Sequence, residues 1–244
     1  MALCYFHTVS NTKISMLKIA FSGRLRAGKD FVAGRSGLSI VGFADPIYII
    51  CKHYFGSADK SLPGVRPFMQ AVGQWGWGAV NEKYPLTPER AMWVDRLRKD
   101  GPSIFRSERL FQGVNWDNYG RVRSFWVDIA LNRPDMRDDT YVKTGVGIVN
   151  ARFDHEFAPL AAAGFRHFHV QCSPETRRAR IEHYDEAADN DTSEQMAIRL
   201  DRECPDSEVI WNDTRPQPEG RELWTVDGFV EWLEAQRNPV TMGV

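Results

Sequence analysis

Leu17-Lys18-Ile19-Ala20-Phe21-Ser22-Gly23-Arg24-Leu25-Arg26-Ala27-Gly28-Lys29-Asp30 is the stretch on which the fold of this chain turns. A short apolar run ends in Gly-x-x-x-x-Gly-Lys, the pattern of a phosphate-binding loop, with Asp30 where Ser or Thr usually stands. Gly23 and Gly28 let the backbone wrap an anion with no Cβ in the way. Loop N–H groups and the start of the next helix then direct partial positive charge at the phosphates. Lys29 adds a full charge and is expected to be solvated when no ligand is bound. Chance produces this spacing in a chain of such length with a probability of about 0.07. Context separates it from an ordinary glycine turn: an apolar strand precedes it, and a short helix, Lys29 to Arg35, follows.

The 244 residues suffice for one large α/β domain. Hydrophobic residues are 43% and charged residues 26%, an ordinary globular composition. A net charge of −1 exerts no overall pull toward nucleic acid or a membrane surface, and neither is expected as a partner. No apolar run approaches the ~20 residues of a membrane-spanning helix, and Met1 to Ser15 lacks the build of a signal peptide. Cys4, Cys51, Cys172 and Cys204 form no C-x-x-C pair. Free thiols and a cytoplasmic location follow, with no disulfide frame or metal cluster. The first strand starts directly at Met16, so residues 1–15 read as an extension and 16–244 as the domain.

Beyond the loop, Ser39–Phe43 reads as a strand, and Pro46 opens a helix from about Ile47 to Tyr54 that stops at Gly56. Asp45 is either the N-cap of that helix or a ligand contact at a strand end. Pro67 begins a helix with Phe68, Val72, Trp75 and Ala79 at core spacing. Arg66, just before a proline, reads as extended. Arg66, Gln70 and Gly73 share a face that suits an anionic planar ligand or, equally by spacing, a solvated edge. A helix from Pro88 is expected to stop at Lys99–Pro102. A short helix within Ile104–Gln112 and a longer one over Arg121–Asn132 follow. Strands are expected at Tyr141–Val149, Phe165–Gln171 and, as the last, Val209–Trp211. Helices lie between them, one of them capped by Ser173 and another spanning Ser193–Glu203, and Val226–Gln236 closes the chain. This alternation predicts a parallel sheet with helices on both faces. His167-x-His169 puts two histidines on one strand face. With no third ligand nearby in sequence, they do not read as a metal site. Trp75, Trp77 and Trp126 are candidates for base stacking, with core packing as the alternative.

Four blocks carry a resemblance: Ser22-Gly23 with Gly28-Lys29-Asp30; Phe43-Ala44-Asp45-Pro46-Ile47; Arg66 with Met69-Gln70 and Gly73; and Asn150-Ala151-Arg152-Phe153-Asp154-His155-Glu156 with Gly164 behind it. In these blocks the chain resembles the phage-type deoxynucleoside monophosphate kinases of the P-loop nucleotide kinase superfamily, well over Met16–Cys172 and loosely beyond. The resemblance implies a three-layer α/β/α P-loop kinase fold with a helical acceptor-binding insertion (57–133) and a lid region (173–204). It implies ATP-dependent phosphorylation of (deoxy)nucleoside monophosphates to diphosphates, with ATP and Mg2+ as cofactors. Small nucleotides are the implied partners, with a homodimer as the candidate assembly. By the same resemblance Gly23, Arg24, Gly28 and Lys29 hold the donor phosphates and Asp30 positions Mg2+. Arg66 and Arg152 hold the acceptor phosphate through guanidinium forks. Asp45, Gln70, Asn150 and Glu156 are polar contacts to the acceptor. Arg177 and Arg180 close over the transferring group, and Asn212 and Asp213 lie at the donor base.

The fourth block usually reads Asp-x-Arg in that family, and here Asn150 replaces the Asp. A hydroxyl acceptor benefits from a carboxylate that takes its proton, whereas a monophosphate is already an oxyanion. Phosphoryl transfer rests mainly on positioning and charge, and Mg2+ needs only one or two carboxylates. Asn150 therefore suits a monophosphate acceptor. Two other functions fit the same motifs: a kinase for another small phosphorylated acceptor, of the dephospho-coenzyme A or phosphomevalonate type, and a non-catalytic nucleotide-binding protein.

Overall fold

The strand Lys18–Gly23 (β1) sorts its side chains by period two. Ile19 and Phe21 join one buried cluster and Ala20 joins another on the opposite face. A computed structural model describes residues 16–76, 88–122, 125–134, 139–149, 151, 154–180 and 192–238. Around β1 lie β2 (Ser39–Gly42), β3 (Val146–Val149), β4 (Arg166–Gln171), β5 (Val209–Trp211) and β6 (Trp224–Thr225). All the pairings are parallel, in the order β2-β3-β1-β4-β5-β6. Ala20 stands opposite Ile148 of β3 and His167 of β4, and Gly23 stands opposite Val170.

The helices are α1 (Lys29–Arg35), α2 (Asp45–Phe55), α3 (Val65–Gly76), α4 (Pro88–Ile104), α5 (Phe125–Leu131), α6 (Asp139–Thr144), α7 (Asp154–Ala162), α8 (Pro174–Ala179), α9 (Thr192–Glu203) and α10 (Val226–Arg237). On one face Ile19, Phe21, Phe168, Val170 and Ile210 pack against Val32 and Ala33 of α1 and Phe229 and Leu233 of α10. On the other, Ala20, Val41 and Ile148 meet Ile47 and Ile50 of α2, with α3, α4 and α5 behind. The molecule is thus an α/β protein with a central parallel sheet between two helical layers. Each large apolar side chain so buried contributes about 1.5–3 kcal/mol. No helix among the described residues is long and apolar enough to cross a membrane.

Several elements differ from the expectation, each for a visible reason. Tyr141–Thr144 is helical, not strand: Gly145, at φ +82°, ends α6 with its N–H donating to the Tyr141 carbonyl (2.9 Å) before β3 begins. Helix α4 runs through Gly101-Pro102 instead of stopping there. The missing Cβ of Gly101 lets the Trp116 ring lie against the backbone, where a Cβ would come within 2.7 Å of it. Aromatic packing of Phe105, Phe111, Trp116, Tyr119, Phe125 and Trp126 thereby overrides a local breaker. Within Ile104–Gln112 only the end of α4 and the single 3-10 turn Arg109–Phe111 form. Arg66 is helical rather than extended, because α3 starts at Val65 and Pro67 falls in a first turn whose N–H groups need no intrahelical partner. The strand at 209–211 is not the last, since β6 adds two residues beyond it. Trp126 is fully buried and donates from Nε1 to the Gly73 carbonyl (2.7 Å), so it is core and not a stacking platform. The extension 1–15, Trp77 and Ala79 lie outside the described residues.

Candidate functional site

After β1 the chain turns toward β2, and after β4 it turns toward β5, so the carboxyl ends of these neighbouring strands diverge. Open parallel sheets bind ligands in the crevice at such a point. The loop Arg24–Gly28 leaves β1 at this crevice. Gly23 has φ +145°, and a Cβ there would collide with the Val170 carbonyl of β4. Gly28 has φ +91°, and its Cβ would strike Asn212 Nδ2. Arg26 takes the left-handed conformation as well, at φ +64°. Positive φ at three of the six positions 23–28 curls the backbone into a tight loop.

The loop is held from behind. Asn212 Nδ2 donates to the Ala27 carbonyl (2.8 Å). Arg180 Nη1 reaches the carbonyls of Ala27 (3.2 Å) and Arg26 (3.3 Å), and its Nη2 reaches that of Asn212 (3.0 Å). Across the loop itself, Ala27 N–H donates to the Arg24 carbonyl (3.1 Å). Lys29 Nζ donates to the same carbonyl (3.3 Å), and the lysine is buried rather than solvated. Its ammonium therefore already lies along the loop. Asp30 is exposed in the first turn of α1.

A cavity of about 490 Å³ opens beside the loop, walled by Arg24, Ala27, Ser173, Arg177, Trp211 and Arg215. Its volume is that of a small-ligand site. Arg177 is only 5% exposed. Helix α8, which carries it, is capped by Ser173, whose Oγ accepts the Thr176 N–H (3.2 Å). Asp213 fastens this turn to the end of β5, accepting from Ser173 N–H (2.7 Å), Thr176 Oγ1 (2.8 Å) and Arg215 N–H (3.1 Å). Burial pushes the Asp213 carboxyl up, but the hydrogen bonds from Ser173, Arg215 and Thr176 outweigh it and hold the group well below the usual carboxylate range.

No family model, curated protein or solved structure matches the chain.

The residues expected at the donor, Gly23, Arg24, Gly28, Lys29, Asn212 and Asp213, and the arginines expected to close over the transferring group, Arg177 and Arg180, lie together around this crevice. Three of them make protein contacts the sequence did not suggest. Asn212, Asp213 and Arg180 direct the polar groups described above into the protein, fixing the loop and α8 to β5. On the acceptor side, Arg66 and Gln70 are exposed on α3, while Gly73 turns into the core beside Ile47. Asp45 is the first residue of α2 rather than its N-cap. Its Oδ2 accepts from Gly42 N–H (3.0 Å) and from Arg133 Nη1 (2.7 Å). Glu156 is fully buried on α7. Asn150 and Arg152 lie outside the described residues.

Sequence reasoning missed a buried polar strip next to the loop. Ser22 and His169 are register partners, and Ser22 Oγ lies 2.7 Å from both His169 Nδ1 and His167 Nε2. His169 Nε2 lies 2.8 Å from Asp201 Oδ1 on α9, and Asp201 Oδ2 lies 3.9 Å from Arg24 Nη1. Gln171 Nε2 donates to the Asp201 carbonyl (3.0 Å). The Ser-His-Asp sequence of contacts is not a nucleophile constellation, since Ser22 is only 1% exposed. It ties α9 to β1 and β4 and places a carboxylate behind Arg24. Burial, and secondarily the neighbouring His169, lowers His167 to about 4, so its imidazole is neutral. Burial pushes the thiols of Cys51 and Cys204 up to about 11 and about 12, so neither is a thiolate nucleophile. The His-x-His alternation was visible in sequence, but nothing local announced Asp201 as its partner.

Proposed function

We propose that the chain is an ATP-dependent (deoxy)nucleoside monophosphate kinase working in the cytoplasm. The observation that carries this reading is the Gly23–Lys29 loop at the divergence of β1 and β4, curled by positive φ at Gly23, Arg26 and Gly28 and backed by Asn212 and Arg180. A triphosphate fits the residues present. Both loop glycines have positive φ, the Lys29 ammonium lies along the loop, and Arg24 and Arg177 line the adjoining cavity. When bound, Mg·ATP supplies the phosphoryl group and a counter-charge for it. Loop N–H groups and Lys29 hold the donor phosphates, and Asp30 at the mouth of α1 offers a carboxylate to the ion, directly or through water. Arg177 stabilises charge on the transferring group, while Arg180 keeps the loop in shape. Arg66, Arg152, Gln70 and Asn150 receive the acceptor, whose phosphate needs no base.

Calorimetric titration of the whole protein with Mg·ATP, run beside Lys29→Ala, tests the donor half of this reading. The wild type is expected to bind with heat and the variant at least tenfold more weakly. Equal affinity in both would remove Lys29 from the donor site and, with it, the phosphate-loop assignment.

A further inference from the structure

A second cluster of chemically active side chains shares His167 with the buried polar strip. His167 of β4, Cys204 at the end of α9 and Glu208 just before β5 each offer one ligand atom, and these atoms lie within 4.8 Å of one another. Cys204 is buried, and His167 and Glu208 are half-buried. We propose that His167, Cys204 and Glu208 form a binding site for a zinc-type divalent transition-metal ion, with a fourth position open to water.

The hydrogen-bond strip orients His167 toward the ion. The Asp201 carboxylate accepts from His169 Nε2–H. Ser22 Oγ bridges His169 Nδ1 and His167 Nε2 at 2.7 Å each. With Nε2 engaged by Ser22, Nδ1 is the His167 nitrogen a metal would use. Metal-binding histidines characteristically donate their other N–H to an oriented partner, which sets tautomer and ring plane. Here Ser22, His169 and Asp201 form that supporting chain, and Ser22 and His169 are fully buried.

The donor set selects the ion. One cysteine sulfur and one imidazole favour zinc over magnesium or calcium; the ion would displace the Cys204 proton, and the resulting thiolate plus a carboxylate balance its 2+ charge. Three protein ligands with one position open is a recurrent zinc arrangement. At zinc bond lengths, tetrahedral ligand atoms stand about 3.3–3.7 Å apart. Closing from a spread of 4.8 Å needs a contraction of about 1 Å. None of the three ligands is among the residues that wall the cavity beside the loop. His167 precedes Val170 by three residues, about 10 Å along β4.

The whole protein, stripped with a chelator and desalted, would be titrated with Zn2+ and separately with Co2+. One equivalent of Zn2+ per chain is expected to bind with a Kd below about 1 μM. It should raise the melting midpoint by about 5 °C at a hundredfold excess over Kd. The Co2+ form should show a thiolate-to-metal charge-transfer band. Cys204→Ala should abolish that band, and Glu208→Gln, a half-buried change that leaves the core intact, should weaken Zn2+ at least tenfold. Cys172→Ala should leave both readouts unchanged. No binding tighter than about 100 μM would overturn the proposal, as would a cobalt–thiolate band that survives Cys204→Ala or Zn2+ affinity indifferent to Glu208→Gln.

Discussion

Replacing Gly28 with alanine tests whether the loop is shaped by its backing. Two separable costs follow from the structure. Holding alanine at φ +91° costs about 1–2 kcal/mol. The new Cβ also collides with Asn212 Nδ2, which must give up its hydrogen bond to the Ala27 carbonyl, for about another 1–2 kcal/mol. The sum is about 2–4 kcal/mol, a fall of roughly 4–16 °C in melting midpoint for a chain of this size. Gly113 supplies the control: at φ +76° with nothing within 4 Å of a built Cβ, Gly113→Ala pays only the backbone cost. Urea unfolding of both variants, and of Gly28→Ala placed in an Asn212→Ala background, would separate the terms. The collision predicts that Gly28→Ala costs less once Asn212 is trimmed, by about 1–2 kcal/mol of coupling. Equal costs for Gly28→Ala and Gly113→Ala, or strict additivity with Asn212→Ala, would refute the reasoning.

Gly34 sits exposed in α1 with open space around a built Cβ, so Gly34→Ala should stabilise the protein by about 0.5–1 kcal/mol in urea; a loss would mean the helix is strained there. Asp213 has a carboxyl held below its ordinary value of 3.8, so it adds stability that is present above that pH and lost as pH falls further. Asp213→Asn should therefore melt lower at neutral pH and flatten the acid limb below about pH 4, and an unchanged acid limb would remove Asp213 from this role. Arg177→Ala should lower kcat more than it raises the acceptor KM, whereas Arg180→Ala should also lower the melting midpoint, because its guanidinium bonds three backbone carbonyls. A pure KM effect of Arg177→Ala would move that residue to the ground-state acceptor site.

The sheet was legible because its signals are local. Ile19 and Phe21 alternate with Ala20 and Ser22, Gly23 and Gly28 bracket a turn, and Ser173-Pro174 announces a helix start. What the sequence concealed depends on partners far along the chain. Gly101-Pro102 reads as a stop until Trp116 covers the glycine. Tyr141–Thr144 has strand-like composition, yet Gly145 leaves room for a helical end beside Leu17 and Leu38. Asn212 and Asp213 read as contacts to the donor base, and their hydrogen bonds to Ala27, Ser173 and Thr176 depend on the β4–β5 register. Two histidines on β4 looked isolated because Ser22, Asp201, Cys204 and Glu208 reach them only through the fold. Asp45 read as cap or ligand, and its pairing with Arg133, 88 residues away, has no local signature.

The central claim is tested most directly by incubating the whole protein with Mg·ATP and a panel of deoxynucleoside monophosphates, ribonucleoside monophosphates and free nucleosides, with products resolved by chromatography. At least one deoxynucleoside monophosphate should become its diphosphate while nucleosides stay untouched, and Lys29→Ala should be silent on the same acceptor. Phosphorylation of nucleosides but not monophosphates, turnover by Lys29→Ala at the wild-type rate, or ATP binding with no acceptor consumed would contradict it.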